Sequence, residues 1–170
     1  LLARLDVRDG TPDKEAHAAP GAAAKAAALL PAPGTRLLGI GVSSANRLKA
    51  LGSERIVEVA QQMLARFPDL TVVLVGGPED REQAATIRAA LPADKTIDAC
   101  GAVALAELPE LLRRLDAFLG VDSGVTYMAD AVGVPLVSVA GPCNMEETRP
   151  LGDSAVILLR DELSCRPCAH

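Results

Sequence analysis

Residues 116–144 read DAFLGVDSGVTYMADAVGVPLVSVAGPCN, and the fold follows from this stretch. Residues 117–121 form a continuous apolar run of the length of a strand buried on both faces. Asp122-Ser123-Gly124 comes next, with short oxygen-bearing side chains that can accept the free N–H groups of a helix starting near Val125. Gly133 closes that helix, and Pro135 leads into a second apolar strand over residues 136–140. A helix N-terminus facing the carboxyl end of a parallel strand suits a phosphate group. One wall of a ligand site is therefore expected at this corner.

The same rhythm extends in both directions. Strands are expected over residues 37–42, 71–75, 96–99 and 155–159. Helices are expected over residues 53–66, 79–90 and 105–115. Ser53 would cap the first, burying Ile56, Val59, Ala60 and Met63; the third carries an inner stripe of Leu105, Leu108, Leu111, Leu112 and Leu115. Strands alternating with helices through short connections imply an α/β fold, a doubly wound, Rossmann-like parallel sheet covered on both faces. In the order 3-2-1-4-5-6, strands one and four are neighbours at the point where the winding reverses, and ligands bind outside their carboxyl ends. Ser43-Ser44 and Asp122-Ser123-Gly124 occupy those two corners. Residues 1–35 read as an N-terminal arm and interdomain linker. Their Ala-rich block at 22–30 favours helix by composition but has little polar contrast, so a linker is the more natural reading. Residues 36–170 form the domain.

Composition narrows the function. The 170 residues are 49% hydrophobic but only 2% aromatic, with a net charge of −5. That balance argues against nucleic acid as a partner, because neither a basic face nor stacking rings are present. No apolar run reaches the roughly 18 residues that span a bilayer. Four cysteines in a chain of this length do not make a disulfide scaffold, so a reducing compartment is expected. Cys165-Arg-Pro-Cys168 is a single CxxC pair, half of a structural zinc site, and neither a metal nor another cofactor is expected.

Gly39 and Gly41 mimic the start of a dinucleotide fingerprint, but they lie inside a strand and Ser44 stands where the third glycine belongs; close packing is their better explanation. Ser43, Ser44, Asn46, Arg47 and Lys49 form a polar loop that either wraps an anion, with Lys49 as point charge, or is simply solvated. Glu79, after Gly76-Gly77-Pro78, suits either a helix N-terminus or the hydroxyls of a ribose. Asp122 fits a helix cap, a sugar ligand or an anchor of its loop; without a cation it would repel a pyrophosphate. Ser123 and Gly124 suit phosphate through their backbone N–H groups, and Thr126 and Tyr127 lie in the first turn, within reach of the same crevice.

These residues together carry a family resemblance. Lys49-Ala-Leu-Gly-Ser-Glu-Arg-Ile, Val-Leu-Val-Gly76-Gly77-Pro78-Glu79-Asp80-Arg81, Gly101 with Leu105 and Glu107, Val121-Asp122-Ser123-Gly124, Gly133-Val-Pro135, Gly141-Pro142 and Cys165-Arg-Pro-Cys168 resemble the ADP-heptose:lipopolysaccharide heptosyltransferases, glycosyltransferase family 9. The resemblance runs from Arg36 to the end. It implies a two-domain GT-B fold of which this segment is the C-terminal, nucleotide-sugar-binding half. The acceptor-binding half would precede Leu1 and carry the catalytic base, so no catalytic residue is assigned here. By resemblance Lys49 holds the donor's phosphates with Ser123 and Gly124, Asp122 heads that loop, Glu79 lies near the ribose and Val103 lines the adenine pocket. Tyr127 stands where the family commonly has His, and Leu51 where it has an aromatic; both differences bear on the donor sugar.

The implied reaction is an inverting transfer of a heptose-type sugar from an ADP-sugar to a lipopolysaccharide core or related glycan. It would take place in the cytoplasm at the inner face of a bacterial inner membrane, with peripheral membrane association through the full-length protein. The segment alone would be inactive. The competing reading is a nucleotide-binding module without catalysis, serving regulation or assembly.

Overall fold

The structure, a computed structural model, describes residues 15–160, 162 and 163. Its centre is a six-stranded, all-parallel sheet in the order β3-β2-β1-β4-β5-β6. The strands are β1 (Arg36–Gly41), β2 (Leu70–Val75), β3 (Thr96–Asp98), β4 (Ala117–Val121), β5 (Leu136–Val139) and β6 (Ala155–Leu158). The helices are α1 (Ala22–Leu29), α2 (Ser53–Arg66), α3 (Arg81–Ala89), α4 (Leu108–Arg113), α5 (Gly124–Ala131) and α6 (Met145–Thr148). Every residue of β2 is buried, as is all of β1 after Arg36, which explains why both read as unbroken apolar runs. Leu38↔Ala117, Gly39↔Phe118 and Ile40↔Leu119 pair β1 with β4, so the winding reverses between them, as the sequence reading required.

Two apolar layers sandwich the sheet. One joins Leu38, Ile40, Val42, Val72 and Leu74 to Ile56 and Ala60 of α2 and Ala84 and Ile87 of α3. The other joins Leu37, Val73, Phe118 and Leu136 to Leu111 and Leu112 of α4, Ala129 of α5 and Ala26 of α1. Aromatics being scarce, Phe118 matters: its ring lies over the strand glycines. A Cβ built at Gly39 would meet Leu115 and, at 2.8 Å, the Phe118 ring, and at Gly120 it would meet Thr126 and, at 2.7 Å, the same ring. The glycines of β1 and β4 are thus packing residues. On the face opposite α5, Ala117 and Leu119 of β4 still pack against the α2 layer, whereas Val156 and Leu158 of the edge strand β6 stand exposed.

Five local expectations differ from the outcome, the simplest being that Val59 of α2 is exposed rather than buried. The Ala-rich block is a helix rather than a linker, because Ala22, Ala26 and Leu30 bury against the second layer and small side chains let α1 lie close to α4. Glu107 and Lys25 pair across that contact at 2.6 Å. The helix expected from residue 105 begins at Leu108: Glu107 folds back to accept the Ala104 N–H at 2.8 Å, leaving Leu105 exposed. The helix expected from residue 79 begins at Arg81, after a 3-10 turn Pro78–Asp80 in which Asp80 accepts the Gly77 N–H at 2.7 Å. Finally, Ser53 is not a cap; Gly52 precedes α2 with φ of 81°, a left-handed value that favours glycine, and no side chain caps the helix. Residues 1–14 of the expected arm and the CxxC at Cys165 and Cys168 lie outside the described residues.

Candidate functional site

Every polar corner singled out in the sequence lies on the carboxyl edge of the sheet, because in an all-parallel sheet all strands end on the same side. At the end of β4 the chain turns through Asp122 and Ser123 into α5. Ser123 is the N-cap, its Oγ accepting the Thr126 N–H, while its carbonyl accepts from the Tyr127 N–H at 3.2 Å. Thr126 is fully buried over Gly120, with its hydroxyl 3.2 Å from that of Ser123. It holds the turn from beneath and does not line the crevice. Gly124 opens the helix with nothing within 4 Å of where a Cβ would stand.

At the end of β1 the chain passes Ser43 and Ser44 and then tightens into a 3-10 turn, Arg47–Lys49, capped by Asn46, whose side chain accepts the Leu48 N–H at 3.0 Å. That turn carries Lys49 across to β4. Its Nζ donates to Asp122 Oδ2 at 2.7 Å, and the Tyr127 hydroxyl donates to the other oxygen, Oδ1. Cys143, from the loop after β5, lies beside the same pair, and its thiol influences the charge of both Asp122 and Lys49. Thr148 of α6 lies near the Tyr127 hydroxyl, but its own hydroxyl donates to the Asn144 carbonyl at 3.1 Å. Three loops and a helix turn therefore meet on one carboxylate. The β5 loop presses close: a Cβ at Gly141 would stand 3.3 Å from the Lys49 Cα.

The electrostatics follow from this geometry. Burial works to raise the Asp122 carboxyl, but hydrogen bonds from Cys143, Lys49 and Tyr127 outweigh it and hold the group below the usual carboxylate range. The Lys49 ammonium is shifted upward by its bonds to Asp122 and Cys143. Burial and the bond to Asp122 push the Tyr127 phenol up to about 12, so it remains a donor at neutral pH. A carboxyl depressed in the folded state contributes stability above its unfolded value of about 3.9, and that contribution is lost as pH falls through the lower folded value. Wild type and Asp122→Asn should therefore differ most in urea midpoint at neutral pH and converge below about pH 4. A gap that stays constant down to pH 2 would show that the carboxylate makes no such contribution.

The remaining site residues divide into two groups. Ser43, Ser44 and Glu79 come together, lining a polar cavity with Arg47, Ser53, Asp80 and Gln83 between the loops that follow β1 and β2. Gln83 shapes its floor by donating to the Val42 carbonyl at 2.9 Å. Val103 is not in that cavity; it is half-buried against the layer formed by α1, α4 and α5. Sequence reasoning missed Cys143 and Thr148. The only available signal for Cys143 was its position directly after Gly141-Pro142 at the end of a buried strand, a corner equivalent to that of Asp122. Among the described residues, no group of three His, Cys, Asp or Glu side chains is placed to hold a metal ion, and no helix is long and apolar enough to cross a membrane.

The sequence model of Glycosyltransferase family 9 (heptosyltransferase) matches residues 4–170. Lipooligosaccharide heptosyltransferase 2 of Haemophilus influenzae is 33% identical over 90 residues, covering 51% of this chain and 26% of that protein. Among solved structures, the glycosyl transferase family 9 protein from Veillonella parvula superposes with a TM-score of 0.84 at 24% identity, covering 98% of this chain and 49% of its own. The E. coli ADP-heptose lps heptosyltransferase II gives 0.79 at 22% identity, covering 92% and 49%. E. coli heptosyltransferase WaaC with ADP gives 0.66 at 18% identity, covering 75% and 39%. At these identities the structural likeness establishes a Rossmann-like domain of the GT-B kind. The chain spans about half the length of the two most similar of these structures.

Proposed function

Because the chain belongs to glycosyltransferase family 9, the heptosyltransferases, we propose that it is the donor-binding half of an inverting sugar transferase. Its donor would be a nucleoside-diphosphate sugar, ADP-heptose above all, and its acceptor a lipopolysaccharide core or related glycan. The observation that carries this reading is the convergence of Lys49 with the N-terminus of α5 at the reversal point of the sheet. An ammonium group and a set of inward-facing N–H groups at one spot are what a departing diphosphate needs, since its negative charge grows as the glycosidic bond breaks. Ser43, Ser44, Ser123 and Gly124 complete the phosphate contacts and Glu79 takes ribose hydroxyls; Val103, outside their cavity, would meet the nucleoside only where adenine extends beyond it. Asp122 and Tyr127 face the donor sugar.

Asp122 is a poor candidate for the general base. It is committed to Lys49 and Tyr127, and a depressed carboxyl is a weak proton acceptor. The base then belongs to the acceptor-binding half, and the 170-residue chain is expected to bind donor yet transfer no sugar, because transfer needs donor and acceptor held together. The site would work in the cytoplasm at the inner face of a bacterial inner membrane, reached by peripheral association of the whole protein.

Calorimetric titration with ADP, UDP, GDP and their sugars tests the reading: ADP and ADP-heptose should bind, the others weakly. No binding of any nucleoside diphosphate would sink it. Gly124 supplies a sharper test. Its position needs no left-handed backbone and offers open space, so Gly124→Val should fold with little loss of stability. The valine side chain would nevertheless stand where the diphosphate approaches. ADP affinity should fall by about 1.5 kcal/mol or more, the worth of one hydrogen bond to a charged group. Unchanged ADP affinity in this variant would move the diphosphate away from α5.

A further inference from the structure

Lys49 is not a free cation. Its ammonium sits 2.7 Å from Asp122 Oδ2, and the two side chains are only 23% and 5% exposed. The lysine backbone is hemmed in by the loop at Gly141. Asp122, in turn, is anchored at both oxygens, by Lys49 and by Tyr127. A diphosphate reaching this ammonium meets a carboxylate already bonded to it, and water is largely excluded from between the charges. The ligand must share the cation or take it, and in either case two like-charged groups end up close together in a poorly screened place.

Resting on the diphosphate reading above, we propose that Asp122 acts as a built-in competitor for Lys49, an internal counter-anion that weakens the hold of the crevice on a nucleoside diphosphate. Asp122 fills the cation's coordination while the crevice is empty, and its charge opposes the diphosphate once transfer has released it. The consequence is easier departure of the spent nucleotide. Tyr127 tempers the competition. By donating to Oδ1 it draws negative charge away from the oxygen that Lys49 shares. The two side chains therefore act on the ligand in opposite directions. Removing the charge at Asp122 frees Lys49, whereas removing the Tyr127 hydroxyl binds Lys49 more tightly to Asp122.

The opposition of signs is what a structural role cannot mimic, since damage to the loop would weaken binding in both variants. ADP and AMP are titrated calorimetrically against the 170-residue chain and its Asp122→Asn, Tyr127→Phe and Lys49→Ala variants, with a thermal unfolding midpoint taken for each. Asp122→Asn should bind ADP at least fivefold more tightly than wild type, and Tyr127→Phe two- to fivefold more weakly. AMP, lacking the outer phosphate, should change less in both. Equal or weaker ADP binding by a folded Asp122→Asn chain overturns the proposal. Should that variant fail to fold, equal or tighter binding by Tyr127→Phe overturns it instead. Lys49→Ala separates this inference from its premise. If that variant binds ADP as wild type does, the diphosphate reading itself falls. If it binds more weakly while Asp122→Asn fails to gain, only the competition falls.

Discussion

Lys49→Ala is expected to weaken ADP binding by roughly 1.5–3 kcal/mol, the value of a charge-assisted contact to a phosphate. It should also cost stability, because Asp122 is left in place with a 5% exposed side chain and no cation beside it. Removing one member of a buried ion pair can cost about 3–5 kcal/mol. The lower end applies here, since Tyr127 still bonds the carboxylate and the lysine itself is partly open to solvent. The two effects can be pulled apart. The double variant Lys49→Ala/Asp122→Asn removes both charges and should recover much of the lost stability, yet ADP affinity should stay low because the cation is gone. Recovery of both together would mean that Lys49 serves only to satisfy Asp122, and the crevice would lose its phosphate ligand.

Phe118→Ala should be the most damaging substitution for the fold, at about 3–5 kcal/mol by analogy with other buried aromatic truncations. The ring is 1% exposed and covers the backbone of Gly39 and Gly120, where no side chain of their own fills the space. The cavity left behind would run along the β1–β4 seam. Gly39→Ala makes the complementary test. In the wild-type background its Cβ collides with Leu115 and the Phe118 ring, an overpacking of about 1–3 kcal/mol. In the Phe118→Ala background one of those collisions disappears, so the second substitution should cost less. Urea midpoints of the four proteins give the coupling directly. Strict additivity would show that the glycine is not there to make room for the ring.

What the sequence determined on its own was everything carried by local pattern. Unbroken apolar runs bounded by Gly, Pro and short polar residues gave the strands, and the alternation with helices gave a parallel sheet whose reversal point lies between β1 and β4. A cap within Asp122-Ser123-Gly124 and Gly133 as a stop are equally local; the structure puts the cap on Ser123, and Gly133 has φ of 79°. The family followed from an ordered set of such motifs. Tertiary structure decided the rest, because it depends on groups far apart in the chain. The Ala-rich block became a helix only because Ala22 and Ala26 found a face against α4, a contact that no periodicity within the block announces. Thr126 and Tyr127 are neighbours in sequence, yet the helix turns one into the core over Gly120 and the other toward Asp122. The ion pair of Lys49 with Asp122 joins residues 73 positions apart. Each was legible alone as an anion ligand or a loop anchor, but that each is the other's partner follows from β1 and β4 lying side by side, which brings their two loops to the same edge of the sheet.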